Sequence, residues 1–441
     1  MTELVYGLSA KEKSAYVLDQ IKLSLKQNRR VVLIVPEQQA LVWDRRCARA
    51  LPARAMMQIE IVSFTRLADS VFRRFGGVAK HYITDAKKTF VMWNALLSLR
   101  DSLRIYKREE REDRYVPLLL RAVNELKAYS VTPAMLEGAA KQLEENGECS
   151  ALRDKLQDLS AIFAAYDTLL HAVYDDPQEI PDALVQTLQN HNYFSGCDVY
   201  IDSFYTLTPK EMKITEQILR QAENFTMTFA CPLRADAAGG ELHLEHIRTF
   251  SHDVARLCAK CGQEVHSREI ACTASGPLGV LTRSLWDHTA QPYEGDAGNV
   301  EIVRCGDIYD EAYAAGAVIQ RLIRSGAHYG DIAVVAADME QRRSITDTIL
   351  TDLGIPVYFS GKKTAVMQPA VRLLLTAASV VAGGWRREDV ISCAKTGLTG
   401  VSPDCCDALE QYTEKWRIRG RRMFCDPDGW SMNPDGYTET V

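Results

Sequence analysis

Apolar positions recur along this chain with two different periods. Glu3–Tyr6 (ELVY) and Val31–Val35 (VVLIV) are short β-branched runs, the pattern of parallel strands buried on both faces. Between them Ala15, Leu18, Ile21 and Leu25 recur at three- and four-residue spacing, which predicts a helix over 12–27. Strand, loop, helix and strand make an α/β crossover, the opening of a doubly wound sheet. A further strand is expected at Ile59–Ser63, followed by a helix from Arg66 to Phe75 that Gly76-Gly77 ends.

The pattern changes over 85–190. Long helical periodicity replaces the β-branched runs, with Glu-, Lys- and Arg-rich faces, and Lys107–Arg114 (KREEREDR) reads as a solvated face or loop. An all-helical insertion is expected there. Strand pattern returns at Asp198–Ile201 and Phe225–Ala230. Residues 285–298, polar with Gly and Pro, suit a linker. A second α/β pattern follows: strand Val300–Arg304, helix Tyr309–Ser325, strand Ile332–Ala336, helix Ser344–Leu353, then Gly354–Ser360 (GIPVYFS). No repeat occurs at solenoid spacing. The fold class expected is α/β: a parallel-sheet domain (1–84 and 191–285) interrupted by the all-α insertion (85–190), then a second α/β domain (296–375) leading into a further helical insertion (376–441). The last residues, rich in Trp, Tyr, Gly and Asp, carry no stop signal, and the chain is expected to continue.

Composition narrows the class. At 441 residues, 46% hydrophobic and 25% charged, the chain is of ordinary globular composition with room for more than one domain. No apolar run approaches the roughly 20 residues that span a bilayer. The opening MTELVYGLSAKEK lacks a basic-then-apolar signal pattern, so no membrane partner and a cytoplasmic location are expected. The 12 cysteines lack disulfide-like spacing and are expected as free thiols. Net charge is −6, yet residues 1–80 carry 14 Lys/Arg against 7 Asp/Glu, a net +7 that leaves −13 for the remainder. That asymmetry fits a first segment facing a polyanion, and equally a solvated basic surface.

Two loops carry candidate chemistry. Gly7-Leu-Ser-Ala-Lys-Glu-Lys13-Ser14 follows the first strand where a P-loop would read G-x-x-x-x-G-K-S/T. In that motif backbone N–H groups cradle phosphate at a helix N-terminus, the lysine neutralises the β- and γ-phosphates, and the hydroxyl holds magnesium. Gly7, Lys13 and Ser14 fit, but Glu12 replaces the second glycine, removing a close backbone approach and adding a carboxylate. An ordinary strand-to-helix loop with Lys and Ser in the first turn of the helix is the better reading of the same residues. The second loop follows Val199–Ile201. Asp202 stands where a strand-end carboxylate holds magnesium through water, and Ser203 stands where motor ATPases place the glutamate that polarises the attacking water. A neutral hydroxyl is no base near pH 7, so no catalytic residue is assigned. Cys258-Ala-Lys-Cys261, with Cys272 eleven residues on and His252 and His266 at no regular ligand spacing, supports no metal assignment.

The order of pieces resembles the UvrD-like superfamily 1 helicases, and more closely their AddB (RexB-like) branch. The resemblance rests on Val35-Pro36-Glu37-Gln38 for that family's VP-[ED]-Q segment and on Ile61–Leu67 (IVSFTRL) for V-x-S-F-x-R-L. It rests further on Ile201–Glu211 (IDSFYTLTPKE) for I-D-G-F-x-x-F-T-P-Q-E, on Asp331–Val335 and Gly354–Tyr358, and on Leu409–Tyr412 with Ile418–Gly420. The matches run in order through nearly the whole chain. Departures accompany them. Glu12 breaks a loop the family usually keeps complete, and Ala336-Ala337-Asp338 stand where an arginine commonly follows the second domain's strand.

The resemblance implies a DNA-binding, inactivated helicase-like region of a helicase–nuclease subunit acting in double-strand break processing and recombinational repair. ATP and Mg2+ binding is then weak or lost. The partners implied are an AddA-type helicase–nuclease subunit in a heterodimer, single-stranded DNA and duplex ends, with a regulatory DNA sequence read by the inactive motor channel. Family members are longer, and an iron–sulfur cluster belongs to their C-terminal nuclease part, whose constellation is missing from this sequence. Ser63, Phe64 and Arg66 fall where the family lines its strand-binding surface. Arg417, Arg419, Arg421 and Arg422 beside Trp416 form the densest basic cluster, a second DNA-contact candidate that also reads as a solvated helix end. Phe64 reads more readily as core than as a stacking platform. Two rival functions stay open: an active motor with a tolerant loop, and a protein scaffold that binds no DNA.

Overall fold

Continuous β-branched runs make strands that bury both faces, and here they assemble one parallel sheet. A computed structural model describes residues 1–77, 81–107, 112–147, 150–233, 244–285, 291–298, 300–359, 365–426 and 430–433. Residues 108–111 of the KREEREDR run, 286–290 of the linker, Ser360 and the tail from 434 lie outside them. The chain divides into two compact units, Met1–Glu301 and Ile302–Val441.

The first unit opens β1 (Thr2–Tyr6), α1 (Ala10–Lys26), β2 (Arg30–Ile34), α2 (Glu37–Ala50), α3 (Ala53–Met56), β3 (Ile59–Val62) and α4 (Phe64–Phe75). Helices α5 (Asp85–Leu99), α6 (Glu112–Ala128), α7 (Pro133–Glu145), α8 (Ser150–His171) and α9 (Ile180–Asn190) follow. The sheet resumes with β4 (Cys197–Ile201), α10 (Pro209–Gln221), β5 (Asn224–Phe229), α11 (Glu245–Lys260), β6 (Val265–Glu269) and α12 (Gly276–Ser284). All pairings are parallel, in the order β3-β2-β4-β5-β1-β6, with Ile34 opposite Ile201 and Leu4 opposite Met227. Strands β4 and β5 thus separate β1 from β2, so four strand ends meet at the centre of the carboxyl edge.

Alternate residues serve two cores. Leu4, Val32, Ile34, Val199, Ile201, Met227 and Phe229 face α4, α9, α10 and α11. Val31, Leu33 and Tyr200 face α1 and α2, where Trp43 and Cys47 are fully buried. Helix α4 shows why the chain turns where it does. The Ser63 hydroxyl accepts the Arg66 N–H, Leu67, Ala68, Val71 and Phe72 form the buried stripe, and Gly76 leaves at φ +95. Ser63 is therefore a cap and not a strand residue, and the helix begins at Phe64, ahead of Arg66. Strand β6 (VHSRE) has no alternation to announce it, because it is a polar, largely exposed edge.

Between β3 and β4 the described residues hold helices and one isolated bridge, Tyr82 to Asp175. Helices α5 to α8 close a core of their own around Met92, Leu119, Phe163 and Tyr166. Leu184 and Leu188 of α9 instead join the sheet's core. Fully buried Asp176 ties the array together. It accepts from Lys88 Nζ at 3.0 Å, Lys127 Nζ at 2.6 Å and the Gln178 N–H at 3.1 Å.

The second unit departs from expectation. Val300–Arg304 and Ile332–Ala336, read as strands of a second α/β domain, are unpaired here, with Ile302 97% and Val335 90% exposed. A strand is stabilised by ladder hydrogen bonds, and among the described residues these segments have no neighbouring strand. The unit consists of α13 (Ile308–Arg324), α14 (Met339–Asp352), α15 (Pro369–Ala382), α16 (Arg387–Ala394), α17 (Pro403–Lys415) and α18 (Arg421–Phe424). Ile319, Leu350 and Ile355 form a small core, and Gly316 admits Leu353, whose Cδ1 occupies the space a Cβ would need.

Candidate functional site

The loop after β1 is three residues long, Gly7-Leu8-Ser9, because α1 begins at Ala10. Lys13 is thus the fourth residue of the helix, its N–H directed at Ser9 O. The Gly7 N–H is taken by Phe229 O at 3.2 Å and Cys231 O at 2.9 Å. Glycine is required there on packing grounds, since a Cβ would stand 2.7 Å from Ile270 O as the chain leaves β6. The Lys13 ammonium, 5% exposed, donates to Phe229 O at 2.9 Å. Burial pushes its pKa down to about 8, opposed by the negative charge of Asp202. Ser14 is buried beside it. Glu12 accepts hydrogen bonds from Ser9 Oγ and Thr273 Oγ1, and the Thr273 contact, first among the causes, holds its carboxyl below the usual range. A negative charge therefore already sits in the first turn of α1, where the helix dipole would favour a phosphate.

Asp202 directly follows β4 and is 2% exposed. Its Oδ1 accepts from Thr228 Oγ1 of β5, and its Oδ2 accepts from Trp43 Nε1 of α2 at 3.1 Å and from Ser203 Oγ at 2.9 Å. Ser203 holds φ +66, a left-handed conformation that favours glycine, the residue at this place in the I-D-G-F pattern. Gly7, Lys13, Ser14 and Asp202 are thus brought together at the centre of the carboxyl edge, where parallel sheets gather ligands. Tested against a magnesium nucleotide, the arrangement does not fit. The ammonium is buried and donates to a carbonyl, the Gly7 N–H is occupied, the aspartate already accepts three hydrogen bonds, and Glu12 repels phosphate.

The second group of candidates lies after β2 and β3. Glu37, first residue of α2, accepts from Ser63 Oγ at 2.6 Å and pairs with Arg66 Nε at 3.0 Å. The VP-E-Q and S-F-x-R-L segments are therefore in contact through these side chains. Arg66 is exposed and Ser63 is buried. The Phe64 ring is buried in the sheet's core, edge-on to Phe204 at 5.5 Å, which removes it as a stacking platform. Arg417, Arg419, Arg421 and Arg422 are exposed on the second unit, around buried Ile418. The neighbouring aromatics are occupied: Trp416 Nε1 donates to Asn433 O at 3.0 Å, and Tyr412 stacks on Trp430 at 5.3 Å.

Sequence reasoning missed Glu37 as the partner of Ser63 and Arg66, Trp43 and Thr228 as the groups that fill Asp202, and Thr273 as the anchor of Glu12. Only Glu37 had a signal, its place in VP-E-Q. Cys258 is buried, its thiol pushed up to about 12 by burial, whereas Cys261 is half-buried. Among the described residues, no group of three or more His, Cys, Asp or Glu is placed to hold a metal ion.

Fold and site define a parallel α/β protein with a helical array between its third and fourth strands and a densely self-bonded carboxyl edge. The chain belongs to the family described as ADDB, N-terminal, whose model matches residues 4–275. It is similar to proteins whose name makes them one subunit of an ATP-dependent helicase/deoxyribonuclease. That of Acetivibrio thermocellus is 26% identical over 98% of this chain and 38% of its own length. The counterpart from Caldanaerobacter subterraneus subsp. tengcongensis is 25% identical over 99% of this chain and 38% of its own, and that from Alkaliphilus metalliredigens 26% over 95% and 37%. The chain therefore spans less than two fifths of these relatives. No described helix is long and apolar enough to cross a membrane.

Proposed function

We propose that this chain is the DNA-binding, helicase-like region of a helicase–nuclease subunit that processes double-strand breaks, and that its own ATP site no longer turns over. The relatives' name, which places each of them as one subunit of an ATP-dependent helicase/deoxyribonuclease, supports membership in such a complex. In this reading an AddA-type partner supplies the working motor. The parallel sheet is a RecA-like domain, and the remainder of the full-length protein carries the nuclease and its iron–sulfur cluster. The complex works in the cytoplasm on single strands and duplex ends. DNA passes over the carboxyl edge near Ser63 and Arg66, with the Arg417–Arg422 cluster as a second contact, and the edge reads a regulatory sequence instead of driving translocation.

One observation carries the loss of turnover: Lys13 and Asp202 are bonded to the protein's own groups, with no carboxylate base at Ser203. The test is steady-state ATPase activity of the 441-residue chain with and without single-stranded DNA, beside fluorescence anisotropy with a labelled oligonucleotide. Salt-sensitive DNA binding without stimulated hydrolysis is expected. DNA-stimulated turnover of about 1–100 per second would restore the active-motor reading. Absence of DNA binding at low salt would restore the scaffold reading.

A further inference from the structure

From Gln38 to Ile59 the chain carries four arginines, Arg45, Arg46, Arg49 and Arg54, against one carboxylate, Asp44. Arg45, Arg49 and Arg54 are exposed and Arg46 half-exposed, and none takes part in an ion pair among the described residues. Elsewhere in the first unit guanidinium groups are often neutralised locally, as Arg29 is by Asp198, Arg66 by Glu37 and Arg268 by Glu3. The buried side of α2 explains the orientation. Ala40, Trp43 and Cys47 face the sheet, Trp43 donates to Asp202, and Arg46 lies over the Trp43 ring at 4.8 Å. The opposite side must then carry Arg45 and Arg49, four residues apart and about 6 Å apart along the axis.

We infer that the outer face of α2, continued by α3, is a track for the phosphate backbone of a nucleic-acid strand leaving the carboxyl edge. Glu37 and Arg66 mark where α2 starts, and its 14 residues carry the track about 21 Å away from that edge. Charge complementarity selects the occupant. Exposed guanidinium forks without an ion pair, as at Arg45, Arg49 and Arg54, are a local excess of cation in a chain of net charge −6, and arginine matches phosphate geometry with two parallel hydrogen bonds. Binding there releases counterions and reads no sequence, which suits a strand held while its bases are read elsewhere.

This inference rests on the DNA-binding reading above, and the experiment separates the two. Affinity of the 441-residue chain for labelled oligo(dT) is measured by anisotropy over a salt series. Three proteins are compared: the parent, Arg45→Gln/Arg49→Gln/Arg54→Gln, and the charge-matched control Arg121→Gln/Arg256→Gln/Arg283→Gln. Circular dichroism and melting verify that each is folded. The α2–α3 variant is expected to bind tenfold or more weakly at low salt, with the slope of log K against log salt reduced by about 2, while the control stays near the parent. Parent-like affinity and slope in the α2–α3 variant would overturn the track and leave the DNA reading standing, and would assign the arginines to an acidic protein surface. An equal loss in the control would also overturn it, since net charge alone would then account for the effect. A parent that binds no DNA at low salt would overturn both readings together.

Discussion

Replacing Lys13 by methionine separates the two roles open to its side chain. In a phosphate loop the ammonium meets an anion, and its loss is read as lost nucleotide binding. Here the ammonium is buried, donates to Phe229 O, and has its pKa lowered from 10.5 to about 8, chiefly by desolvation. A lysine whose folded pKa lies below its unfolded one binds its proton more weakly in the folded state. Below pH 8 it is charged in both states, and folding carries the whole penalty, about 3 kcal/mol. Between pH 8 and 10.5 the folded lysine becomes neutral while the unfolded one remains charged, so the penalty fades, with about 2 kcal/mol relieved by pH 9.5. Methionine has similar length and no charge, so it carries no such dependence. Loss of the hydrogen bond to Phe229 O opposes the gain by about 1–3 kcal/mol. The Lys13→Met protein is therefore expected to be as stable as the parent or up to about 2 kcal/mol more stable at pH 7, and to fall behind by about 2 kcal/mol relative to that difference at pH 9.5. Urea unfolding followed by circular dichroism at both pH values measures this. A difference that does not change with pH, or a loss above about 3 kcal/mol at pH 7, would refute the reasoning by making the buried charge a stabilising one.

Other perturbations test neighbouring claims. Glu12→Gly is expected to strengthen binding of a fluorescent nucleotide more than it raises hydrolysis, because Ser203 still supplies no base; hydrolysis restored in step with binding would contradict this. Phe64→Ala is expected to cost about 3–5 kcal/mol in urea unfolding, with DNA affinity per folded molecule unchanged, as a core ring requires. Arg66→Ala, on an exposed pair with Glu37, is expected to leave stability within about 0.5 kcal/mol and to weaken oligonucleotide binding; tight binding by that folded variant would take Arg66 off the DNA path. Asp176→Asn leaves Lys88 buried without its carboxylate and Lys127 with Asp167 alone, and is expected to cost about 3–5 kcal/mol, which thermal melting detects.

Much of the first unit was legible because its strands are buried on both faces and its helices obey one period. The helix ending at Gly76-Gly77 and the strands at Val31 and Val199 follow from local pattern alone. What failed was decided by partners. β6 is a strand because β1 offers an edge to Val265–Glu269, although its own side chains are polar. Val300–Arg304 and Ile332–Ala336 have ideal strand composition and remain unpaired, because among the described residues no edge is offered. β-propensity reports fit to a half-buried pleated surface, and that surface is supplied from elsewhere in the chain.

The candidate site divides along the same line. Residue types at the loop were readable: Gly7, Lys13, Ser14 and Asp202 stand where a nucleotide site needs them. Their engagement was not, because it depends on groups far away in sequence. Asp202 is filled by Trp43, Thr228 and Ser203, from α2, β5 and its own turn, and Lys13 is held by a carbonyl that ends β5. Glu12 is the one defect visible in the motif, yet it is the easiest to reverse, since it lies at the surface on two hydroxyl contacts. Freeing Asp202 demands more. Removing Trp43, a fully buried indole, opens a cavity that costs about 3–5 kcal/mol, on the order of a large part of a domain's stability. Asp202 is thus bonded to α2 and β5 through groups that a change at Glu12 does not touch. The same bonds hold α2 rigidly against the sheet, with its arginines outward.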